Sequence, residues 1–419
     1  MLTAVTQSLT QGALWLNRQS VAGSSVVGWF SDDNVVSTIG KEVVGINAPK
    51  ATNVRRFGEF LDAMVSELGN TVGYFGGGYA LDAIMNRLKP RLVGSTADSS
   101  MKQALTLFHT GKSIAFMAIL GSFIWAMPFF RNVVTANKLG TTKFTEIISG
   151  NALLAQESKQ AYESNKQRFW RTGWSILGAG AAIGLGAFAL LTARSGRLAS
   201  QLVQTAGKAP VPQWIQKLVK ATEWKEPWFT RFSFLFEGGQ FKKLNRFHAF
   251  WFWGLPAYGG WFHASREPEE RGEIVFKAIN FFVMFFGVGP LLTSMLRRPA
   301  FFGKPLLEAF KAYNKANPKK PLAFGKEAFE VLNAQNHLGL SAQKIEQLEQ
   351  IRLAHKTIGY FASTAALFVS NWWANNLSQW ATEKRMAPKR SALGQQAWAR
   401  LQQSAPLGSF ALSQGTSVQ

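Results

Sequence analysis

The chain has 419 residues, of which 47% are hydrophobic, 13% aromatic and only 17% charged, and it carries a formal net charge of +22. Soluble domains usually hold roughly 25% charged residues, so this composition argues against an ordinary water-facing globule. The lack of cysteine excludes disulfides, thiolate metal sites, iron–sulfur clusters and cysteine nucleophiles.

A charge this positive calls for an anionic partner. The cations sit in the segments between apolar runs and at their borders rather than on one motif, which points to anionic lipid and away from nucleic acid. Residues 1–112 read as an amphipathic or soluble region. The opening stretch has no Lys or Arg before Arg18 and no clean apolar run, which argues against a cleavable secretory signal. Within this region, 68–85 is Gly-rich and carries Asp82; it reads as a surface segment, or as a re-entrant or sixth membrane element if the chain is internally duplicated.

The first membrane-length element is "SIAFMAILGSFIWAMPFF", 113–130, 18 uncharged residues between Lys112 and Arg131, or about 27 Å of helix. Its preceding "GKS" is not a phosphate loop, because Thr106 stands where the first glycine is required and no strand pattern precedes it. Lys112 reads instead as a lysine snorkelling at the head of a span. The strongest span is 172–193, 22 uncharged residues between Arg171 and Arg194. Its glycines lie inside the apolar run and not between a strand and a helix, so they are no dinucleotide fingerprint. Gly180 and Gly184 form a small face on which another helix can pack closely.

Residues 194–246 form a basic loop. Within it, 211–228 places Trp214, Ile215 and Leu218 on one face with lysines around them, the pattern of a helix lying in the headgroup plane, and Trp214, Lys217, Lys220, Trp224 and Lys225 are its expected lipid-binding residues. The aromatic run 247–263 is interrupted by Gly254, Pro256, Gly259 and Gly260 and reads as a shorter crossing. The span 278–296 follows Lys277 and carries Asn280, expected to hydrogen-bond across helices, as is Asn371. Residues 297–356 form a second basic helical loop, in which 304–321 again mixes apolar residues with lysines and Ser341 reads as a helix N-cap. The last span, 357–374, follows Lys356, and 375–419 is a polar tail.

Buried soluble helices seldom run this long without charge and then stop at Lys or Arg, so the expected fold is all-α and polytopic, with about five transmembrane helices (four to six) and helical basic loops. With five crossings Lys and Arg concentrate on the side of the N-terminus and the two basic loops, which places those in the cytoplasm and the protein in the inner membrane if the source is bacterial. Several short stretches echo one another in order: "KSIAFMA" at 112–118 with "KTIGYFA" at 356–362, "GWF" at 28–30 with 260–262, "GE" at 58–59 with 272–273, "FGGGYALDAIMNR" at 75–87 with "FGVGPLLTSMLRR" at 286–298, and Phe129 and Phe130 with Trp372 and Trp373. They suggest an ancient duplication.

No metal spacing surrounds the five histidines, no cofactor motif stands, and the confident spans hold almost no ionisable residue, which counts against an enzyme and against an ion-coupled transporter. The expected function is a non-enzymatic membrane-organising or partner-binding protein that contacts anionic lipid through its basic loops, with homo-oligomers or membrane proteins as further partners. The alternative is a transporter or channel component built on a weakly duplicated helical core.

Overall fold

The computed structural model describes residues 35–93, 99–149, 157–192, 249–296 and, except for 319, 320, 323 and 337, 302–404, together with Gln11, 20–21 and 24–25. Apart from an antiparallel pair of two-residue strands, β1 (Ser20–Val21) and β2 (Ser24–Ser25), the regular structure among these is helical. The elements are α1 (35–52), α2 (57–93), α3 (Ser99–Leu139), α4 (Phe144–Ser149), α5 (Lys159–Thr192), α6 (249–263), α7 (268–296), α8 (Lys304–Ala316), α9 (Lys326–Asn336) and α10 (Ala342–Ser404). The expected interfacial helix at 211–228 lies outside the described residues, and so do Trp214, Lys217, Lys220, Trp224 and Lys225.

Among the described residues three helices are long and apolar enough to cross a membrane: Ala104–Leu139, Lys159–Thr192 and Pro268–Leu292. The expected span 113–130 falls inside the first, 172–193 all but its last residue inside the second, and most of 278–296 inside the third. The run 247–263 becomes a helix of only about 22 Å, and 357–374 is one stretch of the 63-residue α10.

Four of these helices pass through a π-helical turn without breaking: α1 at Lys41–Asn47, α2 at Val72–Gly76, α6 at Ala249–Gly254 and α7 at Val283–Val288. In α1 the local cause is legible. Pro49 has no N–H to give to the Gly45 carbonyl four residues back, and Asn371 Nδ2 of α10 donates to that carbonyl instead, at 2.8 Å.

Packing order follows from side-chain contacts. α2 runs antiparallel to α3: Asp62 meets Thr135, Gly69 faces Met127, Gly73 faces Phe123, and Asn86 receives Lys112. α7 runs antiparallel to α10 in the same way, with Asn280 bonded to Asn371 and Gly289 beside Ser363. The partners of α1 and α6 are exchanged. α1 lies parallel to α10, with Lys41 over Tyr360, Gly45 on Leu367 and Asn53 on Trp372, whereas α6 lies parallel to α3, where a Cβ on Gly260 would sit 2.5 Å from the Trp125 carbonyl oxygen. α5 covers the outer side of α3. A Cβ on Gly184 would fall 3.0 Å from the Ala115 carbonyl oxygen, and one on Gly180 would collide with Ser122 and with the Ala118 carbonyl oxygen.

The region 35–93, expected to be amphipathic or soluble, shares one core with the spans: Ile46, Tyr74, Phe75 and Met85 pack with Phe116, Ile124, Trp253 and Phe281. Its polarity is inverted relative to a soluble helix. In α2, Leu68 is 61% exposed while its neighbour Glu67 is 4% exposed; Val72 and Ile84 face outward while Asp62, Asn70 and Asp82 are buried. In α10, Val369, Trp373 and Trp380 face outward while Asn371, Asn375 and Gln379 are buried. Apolar outside and polar inside matches a lipid surround and not water.

Two further details differ from the sequence reading. Lys112 does not snorkel outward: it is fully buried, ion-paired with Asp82 and bonded to Asn86 Oδ1 at 2.7 Å. The apolar face of α8 is covered by protein, because Leu306 is buried with Phe329, Leu332, Ile345 and Leu348 against α9 and the start of α10.

Candidate functional site

The chain turns sharply between α1 and α2 and again between α6 and α7, and the two turns carry the same device. In "RRFGE" the backbone N–H and Nε of Arg55 donate to Glu59 Oε2 at 2.8 and 3.1 Å, and Nη2 donates to Glu59 Oε1 at 2.8 Å. In "REPEE" the backbone N–H and Nε of Arg266 donate to Glu270 Oε2 at 2.7 and 3.2 Å, and Nη2 to Glu270 Oε1 at 2.8 Å. Each carboxylate lies in the first turn of its helix, where the free N–H groups favour negative charge.

Each arginine also reaches across. Arg55 Nη2 donates to Glu273 Oε1 of α7 at 2.9 Å, and Arg266 is ion-paired with Asp62 of α2. The correspondence is residue for residue at a spacing of 211: 55 and 266, 59 and 270, 62 and 273. The supporting helices follow suit. Thr135 of α3 bonds Asp62, and Thr382 of α10 bonds Glu273. Asn132 Nδ2 donates to the Ala264 carbonyl and Gln379 Nε2 to the Asn53 carbonyl, both at 2.7 Å. The π-helical turns also keep the 211 spacing, with "VGYFGGG" at 72–78 and "VMFFGVG" at 283–289.

The clamp is dry and nearly charge-balanced. Arg266 is 1% exposed, Glu273 3% and Glu270 4%. Burial by itself would make the Arg266 guanidinium easier to deprotonate; Asp62 and Glu270 outweigh it and hold the group above its ordinary value. Arg55 is held up the same way, against burial, by Glu59 and Glu273. Arg131 adds a third guanidinium, 2.8 Å from Glu270, and Lys277 closes on Glu273 at 3.0 Å. Position 378, opposite 131 by the 247 spacing of Thr135 and Thr382, is a serine, so the match is not complete. A cavity of ≈ 70 Å³ adjoins the clamp and reaches Asn53, Ala63, Phe144 and Gln379. A second, of ≈ 20 Å³, lies deeper, between Glu42, Glu67 and Asn70 on one wall and Trp253, Tyr258 and Phe281 on the other. Lys50 and Trp261 border both, with Nζ 3.9 Å from the ring.

No family model, curated protein or solved structure matches this chain.

Among the residues singled out from sequence, Gly180 and Gly184 face α3, and Asn280 sits in a polar chain across α7, α10 and α1: Asn280 to Asn371 at 3.0 Å, then Asn371 to the Gly45 carbonyl. The clamp was missed, and a signal for it existed. R-x-x-x-E occurs at 55–59 and 266–270 with the same 211 spacing as the "FGGG" and "FGVG" echo. The "GE" echo at 58–59 and 272–273 is three residues out of the structural register, in which Glu59 matches Glu270 and Asp62 matches Glu273. The confident spans hold few ionisable residues, yet α1 and α2 bring Glu42, Lys50, Asp62 and Glu67 into the same bundle, so the argument against ion coupling loses its basis. Among the described residues no group of three or more His, Asp or Glu side chains is arranged to hold a metal ion.

Proposed function

We propose that this is a multi-pass membrane protein that conducts or carries a solute between two equivalent three-helix units, α1–α3 and α6, α7 and α10, and that the arginine clamp closes the path at one face. The observation that carries this reading is the reciprocal exchange: each arginine binds a glutamate of its own unit and an acid of the other. Releasing the crossing contacts, which include Arg131 to Glu270, Asn132 to the Ala264 carbonyl and Gln379 to the Asn53 carbonyl beside those of the two arginines, would let the units part at that face, which is the geometry of a gate between rocking halves. The paired π-helical turns, irregular backbone at matching places in the two units, support the same reading.

On this proposal α1, α2, α3, α5, α6, α7 and α10 cross in alternating directions, the duplication is real, and its axis runs along the helices. The helix ends at 93, 99, 192, 249 and 296 then share one face, cytoplasmic by the excess of Lys and Arg in the sequence of 193–248 and of 297–341, and the clamp lies at the other. The membrane-organising function expected from the sequence rests on 211–228, outside the described residues; in the second basic segment the apolar face of α8 is covered by α9 and α10.

The absence of native cysteine makes the test direct. A single cysteine at Ala257, on the deeper cavity, is labelled in proteoliposomes with a membrane-impermeant maleimide from each side, in the otherwise unchanged chain and with Arg266→Gln or Arg55→Gln. Transport predicts that opening the clamp raises labelling from the clamp face, while a cysteine at the outward Ile183 stays unlabelled from both. If Ala257→Cys is inert from both faces in every background, the interior is dry packing and the proposal fails.

A further inference from the structure

We propose that Glu42, Asn47 and Asn70 form a binding site for one monovalent metal cation at the deeper cavity, placing an ion-coupling site next to the partition made by Lys50 and Trp261. The coupling role rests on the transport reading; the binding site does not.

Three buried oxygens of α1 and α2 have no donor: Glu42 Oε2 and Asn70 Oδ1 on the cavity, and Asn47 Oδ1 of a side chain joined to Glu42 through Thr71. Glu42 is 2% exposed and Asn70 3% exposed, and both line the cavity. Two nearby donors are committed elsewhere. Thr71 has one hydroxyl proton and gives it to Glu42 Oε1 at 2.9 Å, while accepting from Asn47 Nδ2 at 3.1 Å. Lys50 Nζ is paired with Glu67. On the opposite wall the Trp261 Nε1 donor reaches none of the three oxygens.

Charge gives the valence. With Glu42 and Glu67 both ionised they face one ammonium, Lys50, which leaves a single surplus negative charge for a bound cation to meet; Lys277, the next cation, is matched by Glu273. An uncompensated carboxylate in this setting is expensive, so the site gains a positive charge when occupied. A divalent ion would overshoot and leave a buried net positive charge. A proton would sit on one carboxylate oxygen and satisfy one further acceptor, leaving the third orphaned. A metal cation coordinates all three oxygens at once, as hard monovalent ions do with carboxylate and amide oxygens. Tyr258, Trp261 and Phe281 supply a dry aromatic wall that strengthens the attraction.

The experiment is thermal unfolding of the full-length protein in detergent, with sodium, potassium or choline chloride at constant ionic strength, and isothermal titration with the better ion. One of the metal ions is expected to raise the unfolding midpoint saturably over choline, as any ligand of the native state does. Glu42→Gln, which removes the surplus charge and brings its own donors, should fold without the ion and lose the effect. Asn70→Leu should weaken the titrated affinity by about tenfold, equivalent to about 1.4 kcal/mol. Equal midpoints in all three salts, or a cation effect that survives Glu42→Gln, overturn the site. Cation binding with an inert Ala257→Cys would keep the site and sink transport; labelling without cation dependence would do the reverse.

Discussion

Arg266 and Arg55 make the same bonds in the two units, but their surroundings differ enough to separate them. Removing the Arg266 guanidinium leaves Asp62 and Glu270, both buried, with Arg131 as their one remaining cation, and Arg266→Gln should cost about 3–5 kcal/mol in unfolding free energy, as breaking a buried ion pair does. Arg55→Gln should cost less, because Arg55 is more exposed, at 11% against 1% for Arg266, while each site keeps one further cation, Lys277 on Glu273 and Arg131 on Glu270. Denaturant unfolding of the two variants in detergent checks the order; an equal or reversed order would mean the clamp is shared differently from the geometry. A second residue-scale test uses the Gly45 carbonyl. Asn371→Leu should cost about 1 kcal/mol by orphaning it, and adding Pro49→Ala, which restores an N–H four residues on, should recover part of that loss. Strictly additive effects in the double-mutant cycle would show that Asn371 does not act through Gly45.

At the scale of elements, the contact of α5 with α3 depends on two glycines and is indifferent to two others. Gly180→Val and Gly184→Val force a branched side chain onto the backbone of α3 and should each cost about 1–3 kcal/mol, while Gly178→Val and Gly186→Val, with nothing within 4 Å of a Cβ, should be near neutral. If all four behave alike in thermal unfolding, helix propensity and not close approach is being measured. The corner between α3 and α4 offers a pH test. Burial opposes ionisation of Glu157, but bonds from the Thr142 hydroxyl and backbone N–H and from Asn165 win, so its folded pKa lies below the ordinary carboxylate value. Its stabilisation is therefore complete above the unfolded pKa of about 4.3 and is lost as pH falls through the folded value. Glu157→Gln should remove that part of the acid sensitivity, seen as a flatter melting profile below about pH 5. α8 shows what the pattern of an element leaves open: its stripe of Leu306, Phe310 and Tyr313 was visible, but an apolar stripe fits lipid or protein equally well, and only Phe329, Leu332 and Ile345 decide for protein.

For the whole molecule, opposite directions of α3 and α5 require that tags in 140–158 and in 193–248 report opposite sides of the membrane, and that alkaline carbonate leaves the protein in the pellet. Release into the soluble fraction would refute membrane embedding altogether. On the proposed topology, adding α1 and α2 as a pair leaves the parity of the later helices unchanged, so the expected grouping of the basic segments on one side is kept.

By itself the sequence determined the helical class and the positions of the long apolar runs, because a stretch of 18 to 22 uncharged residues can satisfy its backbone in lipid only as a helix. It also carried the repeated "FGGG" and "FGVG" in correct register. The role of 35–93 was decided only by tertiary structure. Its helices are amphipathic, and sequence periodicity marks an apolar face without saying whether the polar side meets water or the interior of a bundle; Glu67 points inward because Lys50 of α1 pairs with it there. The clamp likewise had to wait for the fold. Arg55 and Glu273 are 218 residues apart, and nothing in either segment encodes the exchange of α1 and α6 between the two units that brings the two charges together.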